Sequence, residues 1–254
     1  MNHRTMTRVT TVFMTAILLA MSLATVARAA PPGNAAFSRT WDRTDRPVLD
    51  GIVARTWMWG PEANTPLVTE QYEESPNGMR QVQYYDKARM EITNPGSDSD
   101  SIWYVTNGLL VVELVTGKMQ VGDNSFETRN PAMVNVAGDF DDPTGPTYAT
   151  FGTLLDATPH TVGSTITERV QRDGSTSIDP SLAGMNVTVG HLDEVTNHGI
   201  AAPFWSFMNS SGTVYENGQY VNQPLFQDAL FATGRPITEA YWAEVKVGGV
   251  YRTS

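Results

Sequence analysis

A turn between two alternating runs decides the fold: Leu67-Val-Thr-Glu-Gln-Tyr72, then Pro76-Asn-Gly-Met-Arg80, then Gln81-Val-Gln-Tyr-Tyr-Asp-Lys-Ala-Arg-Met-Glu-Ile92. Asn-Gly is typical of the tight turn that joins two antiparallel strands. The flanking runs are rich in Val, Tyr, Thr and Ile, which favour strands. The stretch therefore predicts that a strand at 69–74 pairs with the run 81–92 as a hairpin.

A similar stretch lies near the end of the sequence. Pro236-Ile-Thr-Glu-Ala-Tyr241 repeats the aliphatic-Thr-Glu-x-Tyr pattern of residues 67–72, and Gly248-Gly-Val-Tyr-Arg252 is again a glycine turn that ends in arginine. Similarity at several aligned points indicates one module used twice, around residues 36–95 and 195–254, with chance similarity as the alternative.

The second copy stops at Ser254, where its return strand should begin. We therefore expect a module that is incomplete at its C-terminus. The run 240–247 is predicted to be an edge with unpaired backbone groups, and so the least stable part of the fold.

Residues 96–194 form a predicted β-rich insert between the copies. The run 101–122 predicts a meander of three strands, with turns at Asn107-Gly108 and Thr116-Gly117. Short strands are expected at 166–170 and 186–189. Short helices are expected at 146–157 and after Pro203, where apolar residues recur at helical spacing. The predicted fold class is α+β, with antiparallel hairpins, a meander and a few short helices.

The N-terminus carries the pattern of a cleavable secretory signal. His3, Arg4 and Arg8 precede an uncharged apolar stretch, and Ala27-Arg28-Ala29 supplies a small-residue cleavage site. We expect residues 1–29 to be a signal peptide and residues 30–35 a linker, with an uncleaved membrane anchor as the alternative. The expected location is extracellular or at the cell surface, with membrane contact only through the signal before cleavage.

Composition narrows the classes of partner. Loss of residues 1–29 removes three arginines and no acid, which leaves 14 basic against 27 acidic residues and a net charge of −13. So acidic a chain, with three lysines, lacks the positive surface that nucleic acid or anionic lipid requires. There is no cysteine, so disulfides and thiolate sites are excluded.

Two groups of residues are candidate metal ligands. Asp139, Asp141 and Asp142 make an oxygen-rich loop of the kind that can hold extracellular calcium, as the pair Asp98 and Asp100 does more sparsely. A second group would present two imidazoles and a carboxylate to zinc if its segment were helical, although Gly190 and Gly199 argue against a helix. That second group consists of His191, Glu194 and His198. Solvated turns are the alternative for both.

Candidate catalytic residues are carboxylates. Glycoside hydrolysis needs an acid and a carboxylate across a sugar cleft, and Glu70 and Glu239 recur at matching places in the two copies. A structural pairing of Glu70 with Arg80 or Arg89 is the alternative. Serine hydrolysis is disfavoured because no Gly-x-Ser-x-Gly elbow occurs, and no phosphate-binding glycine loop is present.

Aromatic residues are the remaining functional signal, because their faces can stack on sugar rings. Of the six tryptophans we expect Trp59, before Gly60-Pro61, and Trp242, beside Tyr241, to be exposed and to bind ligand.

Three motifs carry a resemblance to a known family: Gly234-Arg-Pro-Ile-Thr-Glu239, Val82-Gln-Tyr-Tyr-Asp-Lys-Ala-Arg-Met-Glu91 and Asn197-His-Gly-Ile-Ala-Ala-Pro-Phe-Trp-Ser-Phe207. They resemble secreted bacterial repeat modules and are distantly similar to the LGFP-type repeats of bacterial cell walls. The sequence departs from that pattern at Asn197, where Thr-Gly would precede His198. The resemblance implies an extracytoplasmic wall- or glycan-associated module and transfers no catalytic residue.

These observations predict a secreted, non-catalytic module that binds cell-envelope or environmental polysaccharide. The alternative is an extracellular carbohydrate-active hydrolase with paired carboxylates. No cofactor is expected apart from calcium at the aspartate loop.

Overall fold

A computed structural model describes residues 30–86 and 88–254 of the chain. The predicted signal peptide lies outside the described residues. Residues 30–33, predicted as part of a linker, are held against the first sheet: Ala30 pairs with Ala63, and the amide of Gly33 donates to Oε1 of Gln83.

The fold is α+β, as predicted, and is built from small sheets of antiparallel hairpins. The described residues contain three α-helices, α1 (Ala35–Leu49), α2 (Leu109–Thr116) and α3 (Ala202–Met208). Short 3-10 helices cover Pro76–Gly78, Ile102–Tyr104, Tyr148–Thr153 and Pro180–Met185. The strands are β1 (Val68–Gln71), β2 (Met79–Tyr84), β3 (Arg89–Ile92), β4 (Lys118–Gln120), β5 (Phe126–Thr128), β6 (Glu168–Val170), β7 (Thr176–Ile178), β8 (Val189–Asp193), β9 (His198–Ala201), β10 (Ser211–Glu216), β11 (Gln219–Pro224), β12 (Glu244–Val247) and β13 (Val250–Thr253).

The hairpin predicted from residues 67–92 is confirmed. Strand β1 pairs antiparallel with β2, with Val68 opposite Val82, and β3 adds to the other side of β2. The loop 72–78 joins these two strands, and within it Asn77 and Gly78 both adopt positive φ, 59° and 69°.

The meander predicted for residues 101–122 is wrong in its first half, because residues 109–116 form helix α2. The run Leu-Leu-Val-Val-Glu-Leu-Val-Thr has high strand propensity, but tertiary contacts override it. Gly108 and Gly117 bound the helix in left-handed conformations, and Glu113 points inward to a bidentate ion pair with Arg89. The predicted turn at Thr116-Gly117 is present and leads into β4.

Helix α1 was not predicted, although its sequence carries the signals of a helix start. The Asn34 side chain accepts the amide of Phe37 at 2.8 Å, which caps the first turn. Phe37 and Trp41, four residues apart, lie on one face and are buried in the core. The helix predicted after Pro203 is present as α3, which begins at Ala202 and has Pro203 in its first turn, and the segment 146–157 contains a 3-10 helix at Tyr148–Thr153.

Two hydrophobic cores hold the described residues together. The first packs α1 and the β2–β3 region against the later segment 214–232, with Trp59, Val214 and Phe226 among its members. The second is smaller and centres on Ile166, Val189 and Ala201, with Trp242 packed against it. The chain thus passes from the first core to the second, back to the first, and to the second again.

The predicted unpaired edge at 240–247 is wrong. Strand β12 pairs with β13 through a Gly248-Gly249 turn, with Val245 opposite Arg252. On the other side, the amide of Trp242 donates to the carbonyl of Glu168 at 2.8 Å, and the amide of Val170 donates to the carbonyl of Trp242. The second copy therefore has β13 and β6 as its neighbours. The hairpin that forms is tighter than the one that alignment with residues 67–92 predicts.

Within the described part of the chain, no helix combines the length and the apolar character needed to cross a bilayer.

Candidate binding cleft

A cleft of about 820 Å³ lies on the first core. One wall is the face of α1 that carries Ser38, Arg39, Asp42 and Arg43. The other walls are the segment 100–105, the tip of the β10–β11 hairpin at 215–218, and the segment 225–231. Its size lies within the range of sites that hold small molecules.

A buried carboxylate fixes the floor of the cleft to α1. Asp45 accepts the backbone N–H groups of Met58, Trp59 and Gly60 at 2.8, 2.7 and 3.1 Å. Burial raises the pKa of Asp45, and the three backbone hydrogen bonds partly oppose that rise. The indole N–H of Trp41 donates to the carbonyl of Gly60 at 2.9 Å. These bonds hold the segment 58–60 rigidly beneath the cleft.

Trp59 lines the cleft, but its predicted exposure is wrong: the residue is 1% exposed. The turn residues Gly60 and Pro61 suggested a surface position, whereas the Asp45 clamp draws the ring into the core. Its indole N–H is buried and has no hydrogen-bond acceptor among the described residues. A buried donor without a protein acceptor is uncommon in folded proteins, and a buried water molecule is an ordinary partner for such a group.

The exposed tryptophan beside the cleft is Trp103, at 52% exposure. Its ring centroid lies 5.7 Å from that of Phe231, which lines the cleft, with 57° between the ring planes. The Ser101 side chain accepts the amide of Trp103 and so orders the 3-10 turn that carries it. The sequence pattern placed Trp103 in a strand of the predicted meander. It therefore did not indicate that the side chain is exposed.

The protein engages the two arginines of the cleft to different extents. Arg43 donates to the carbonyls of Pro224 and Leu225 at 2.7 and 3.2 Å, and its Nη1 lies 3.2 Å from Glu216. Arg39 donates to the carbonyl of Ser99 at 2.5 Å. Arg43 therefore ties cleft segments together, whereas Arg39 makes one hydrogen bond and no ion pair with the described residues and keeps most of its N–H donors free.

The carboxylates of the cleft are less engaged. Asp42 has Arg46 at 3.8 Å, and burial raises its pKa. The carboxylate of Asp100 is exposed and makes no hydrogen bond or ion pair with any residue the structure describes. Glu216 is paired only with Arg43 within the same part of the chain. The cleft therefore offers acceptors on these carboxylates and donors on Arg39 and on the hydroxyl and amide side chains of its lining.

The other predicted ligand-binding aromatics lie elsewhere. Trp242 is half-buried against the second core, and its indole N–H donates to the carbonyl of Ile166 at 2.8 Å. Tyr241 is half-buried, and burial together with the nearby carboxylates of Glu168 and Glu239 raises its pKa to about 12. Neither residue lines the cleft.

Among the described residues, the two candidate catalytic glutamates, Glu70 and Glu239, have no hydrogen-bond or ion-pair partner in common. Glu70 accepts the hydroxyl of Tyr84 at 2.5 Å and lies 3.5 Å from Arg80 and 3.7 Å from Arg89, which is the structural pairing considered from the sequence.

Glu239 is buried in a different cluster. It lies 3.1 Å from Nδ1 of His198 and accepts the amides of Gly199 and His160 at 2.9 and 3.1 Å. Neither glutamate lines the cleft.

The candidate zinc ligands lie on the β8–β9 hairpin. Their spacing would place them on one face only in a helix, and this segment forms two strands and a turn instead. His191 stacks on Trp205 with ring centroids 3.9 Å apart, whereas His198 lies between Glu239 and the carbonyl of Leu155. Glu194 is exposed in the turn. These three side chains have separate surroundings.

The aspartate loop anchors the β12–β13 hairpin. Asp139 accepts the amides of Gly248 and Gly249 at 2.8 and 2.7 Å, and these bonds lower its pKa. Asp142 accepts the amide of Lys246, and Asp141 pairs with the Lys246 ammonium at 3.0 Å. Over residues 30–86 and 88–254, no group of three or more His, Cys, Asp or Glu side chains is placed to hold a metal ion. Calcium binding at this loop stays a prediction.

Comparison of the chain with protein-family models, with curated proteins and with solved structures finds no match. The function must therefore be argued from the cleft itself.

Proposed function

We propose that this protein is a secreted, non-catalytic module that binds a cell-envelope or environmental polysaccharide in the cleft beside Trp103. The observation that carries the proposal is an exposed indole in contact with a cleft that mixes aromatic and polar groups. Export is supported by the signal-peptide pattern of residues 1–29.

Sugar rings present apolar faces and a rim of hydroxyl groups, and a binding site must match both. The face of Trp103, with Phe231 beneath its edge, offers an apolar surface for one ring. The carboxylates of Asp42, Asp100 and Glu216 offer acceptors for hydroxyl groups of the same or the next ring. A few polar groups in an otherwise apolar depression are what orients a small ligand.

The cleft is also preorganised. The Asp45 clamp fixes its floor, and the Arg43 bonds to Pro224 and Leu225 join α1 to the end of β11. A site that is already ordered loses less conformational entropy when ligand binds, which favours affinity for weakly interacting ligands such as sugars.

A carbohydrate-active hydrolase is the second candidate, and one observation favours it. Asp42, Asp100 and Glu216 reach the cleft from three separate elements, and burial raises the pKa of Asp42. An acid with a raised pKa beside an ionised carboxylate is the arrangement that glycoside hydrolysis uses. In this candidate Asp42 is the proton donor.

The test is co-sedimentation of the mature chain with a panel of insoluble glycans, followed by measurement of released reducing sugar. Binding without release supports the proposal, and release that is lost in Asp42→Asn supports the hydrolase. Trp103→Ala should weaken binding about tenfold, because stacking on an aromatic ring contributes roughly 1–1.5 kcal/mol.

Phe140→Ala is the matched control. Phe140 is 95% exposed on the aspartate loop and does not line the cleft, so its loss should leave binding unchanged. If the two variants weaken binding equally, or if no glycan in the panel is bound, the proposal is wrong.

A further inference from the structure

We infer that the protein binds an extended stretch of polysaccharide, several sugar units long, which continues from the cleft across helix α1 into a second depression. The inference rests on the proposed function and deepens it, because it makes a run of linked sugars the ligand and not a single sugar ring.

The second depression has a volume of about 440 Å³ and adjoins the cleft. Ser38 and Asp42 line both of them, so these two residues of α1 form the border between the cleft and the second depression. A chain that occupies the cleft and passes this border therefore enters the second depression. A single sugar would leave one of the two empty.

The border is polar and has hydrogen-bonding capacity. The hydroxyl group of Ser38 makes no hydrogen bond with the described residues, and the carboxylate of Asp42 has its ion-pair partner, Arg46, at 3.8 Å. A hydroxyl group can both donate and accept, and a carboxylate accepts. The border thus offers partners to the hydroxyl groups of a sugar that lies across it.

The second depression combines apolar surface with one free acceptor. Leu49, the last residue of α1, is 55% exposed, and Pro31 and Pro61 are exposed beside it in the lining. The carboxylate of Glu62, which also lines the depression, has no hydrogen-bond or ion-pair partner among the described residues. Apolar surface with a small number of polar groups suits a sugar ring, which has apolar faces and a rim of hydroxyl groups.

The wall that carries Pro31 is fixed to the first sheet. Ala30 and Ala63 exchange two backbone hydrogen bonds of 2.9 Å, and the carbonyl of Pro31 accepts Nε2 of the buried Gln83 at 3.1 Å. Residues that the sequence pattern assigned to a linker therefore form an ordered part of the surface. An ordered wall loses little conformational entropy when a ligand binds, which favours affinity.

The experiment is calorimetric titration with four oligosaccharides: the disaccharide and the hexasaccharide of β-1,4-linked glucose, and the same two lengths of β-1,4-linked N-acetylglucosamine. A hexasaccharide can bind a two-unit site in about five registers, so a site confined to the cleft gives it an advantage of at most roughly fivefold. If the chain also occupies the second depression, the hexasaccharide should bind at least about thirtyfold more tightly than the disaccharide.

Leu49→Ala tests the second depression directly. It should weaken binding of the hexasaccharide about fivefold, through loss of apolar contact, and leave binding of the disaccharide unchanged. Trp103→Ala should weaken binding of both lengths. Ile52→Ala is the matched control, because Ile52 is an aliphatic residue with a similar exposure of 52% that lines neither the cleft nor the second depression. Circular dichroism checks that each variant keeps the fold.

A hexasaccharide advantage of roughly fivefold or less would overturn the inference and leave glycan binding intact. Equal effects of Leu49→Ala and Ile52→Ala on the hexasaccharide would do the same, and would leave the second depression to another partner. Absence of binding by all four oligosaccharides would also overturn the inference, and co-sedimentation with the insoluble glycans then decides whether the proposed function falls with it.

Discussion

Arg80 on β2 and Glu91 on β3 form an ion pair with 2.6 Å between Nη1 and Oε2, and their side chains are 1% and 0% exposed. Arg89 extends the pair, with its Nε 2.8 Å from Glu91 and its Nη atoms in a bidentate pair with Glu113 on α2. Two buried cations thus face two buried anions, and these ion pairs join the first sheet to α2.

Glu91→Gln should destabilise the protein by about 3–5 kcal/mol, because it leaves two buried guanidinium groups with one carboxylate fewer. Urea denaturation measures the loss. Arg129→Gln is the control, since the Arg129–Glu127 pair has the same 2.6 Å distance but side chains that are 64% and 43% exposed. That change should cost at most about 1 kcal/mol. Similar losses in the two variants would show that the network is not the link between sheet and helix.

Asp45→Asn should destabilise the protein by about 2–3 kcal/mol, because a carboxylate that accepts three backbone N–H groups is replaced by an amide with one oxygen acceptor. The Trp59 ring should also move, since two of the three bonds hold residues 59 and 60. Denaturation and Trp fluorescence report these two effects. An unchanged emission spectrum together with unchanged stability would contradict the role of Asp45 as the clamp of the cleft floor.

The Asp139 anchor of the β12–β13 turn should fail in acid. Bonds from Gly249 and Gly248 hold the folded pKa of Asp139 below its ordinary value of 3.8. A carboxyl group with a lowered folded pKa contributes stability that is present above the unfolded pKa and is lost as the pH falls through the folded pKa. The amide proton shifts of Gly248 and Gly249 should therefore be constant from neutral pH down to about pH 4 and change below it.

Asp139→Asn should remove that acid transition from both amides, because the variant has no carboxyl group to protonate. If the variant shows a transition with the same midpoint, a group other than Asp139 causes it.

Glu239→Ala should destabilise the protein by about 2–5 kcal/mol and leave glycan affinity unchanged. The substitution removes the acceptor of two backbone amides and of the buried His198, so several polar groups are left unsatisfied. Since Glu239 does not line the cleft, binding by the folded fraction should persist. Loss of binding or of sugar release at full stability would restore Glu239 as a functional residue.

The amide of Trp242 should exchange as slowly as that of Val82, because it donates to Glu168 inside the paired region of the second core. Hydrogen exchange followed by NMR measures both residues in one experiment. Fast exchange at Trp242 beside slow exchange at Val82 would mean that the contact with β6 is weak.

The β1–β2 pairing was predictable because Asn77-Gly78 is a local turn signal. The β12–β13 hairpin was missed although Gly248-Gly249 is a turn signal too, because alignment with residues 67–92 placed the return strand beyond Ser254. Asn77-Gly78 and Gly248-Gly249 require positive φ at two successive residues, and few other sequences adopt it readily. Helix α2 was not predictable in this way, because residues 109–116 have strand propensity. In the structure, Glu113 of this helix pairs with Arg89, a contact across 24 positions of sequence that a local pattern does not reveal.

The candidate site depends even more than helix α2 does on contacts between residues that are far apart in the sequence. The sequence pattern predicted that Trp59 binds ligand, and Trp59 does line the cleft. The pattern also predicted that Trp59 is exposed, whereas the hydrogen bonds from Asp45 hold it in the core. Trp103 received no special role, since its exposure follows from the 3-10 turn after Ser101. The cleft is formed by segments more than 100 residues apart, and no local pattern brings them together.

The alternation of the chain between its two cores has a kinetic consequence. The first core contains Phe37 and Met90 together with Val214 and Phe226, so it cannot close until the chain has been synthesised or translocated beyond residue 226. Contacts of such long sequence separation slow folding, because the entropy of closing a large loop is lost before the contacts form. Apolar side chains of α1 and β3 stay exposed to solvent until those contacts form. Assembly of the first core therefore depends on the segment 214–226, which lies far along the chain from α1.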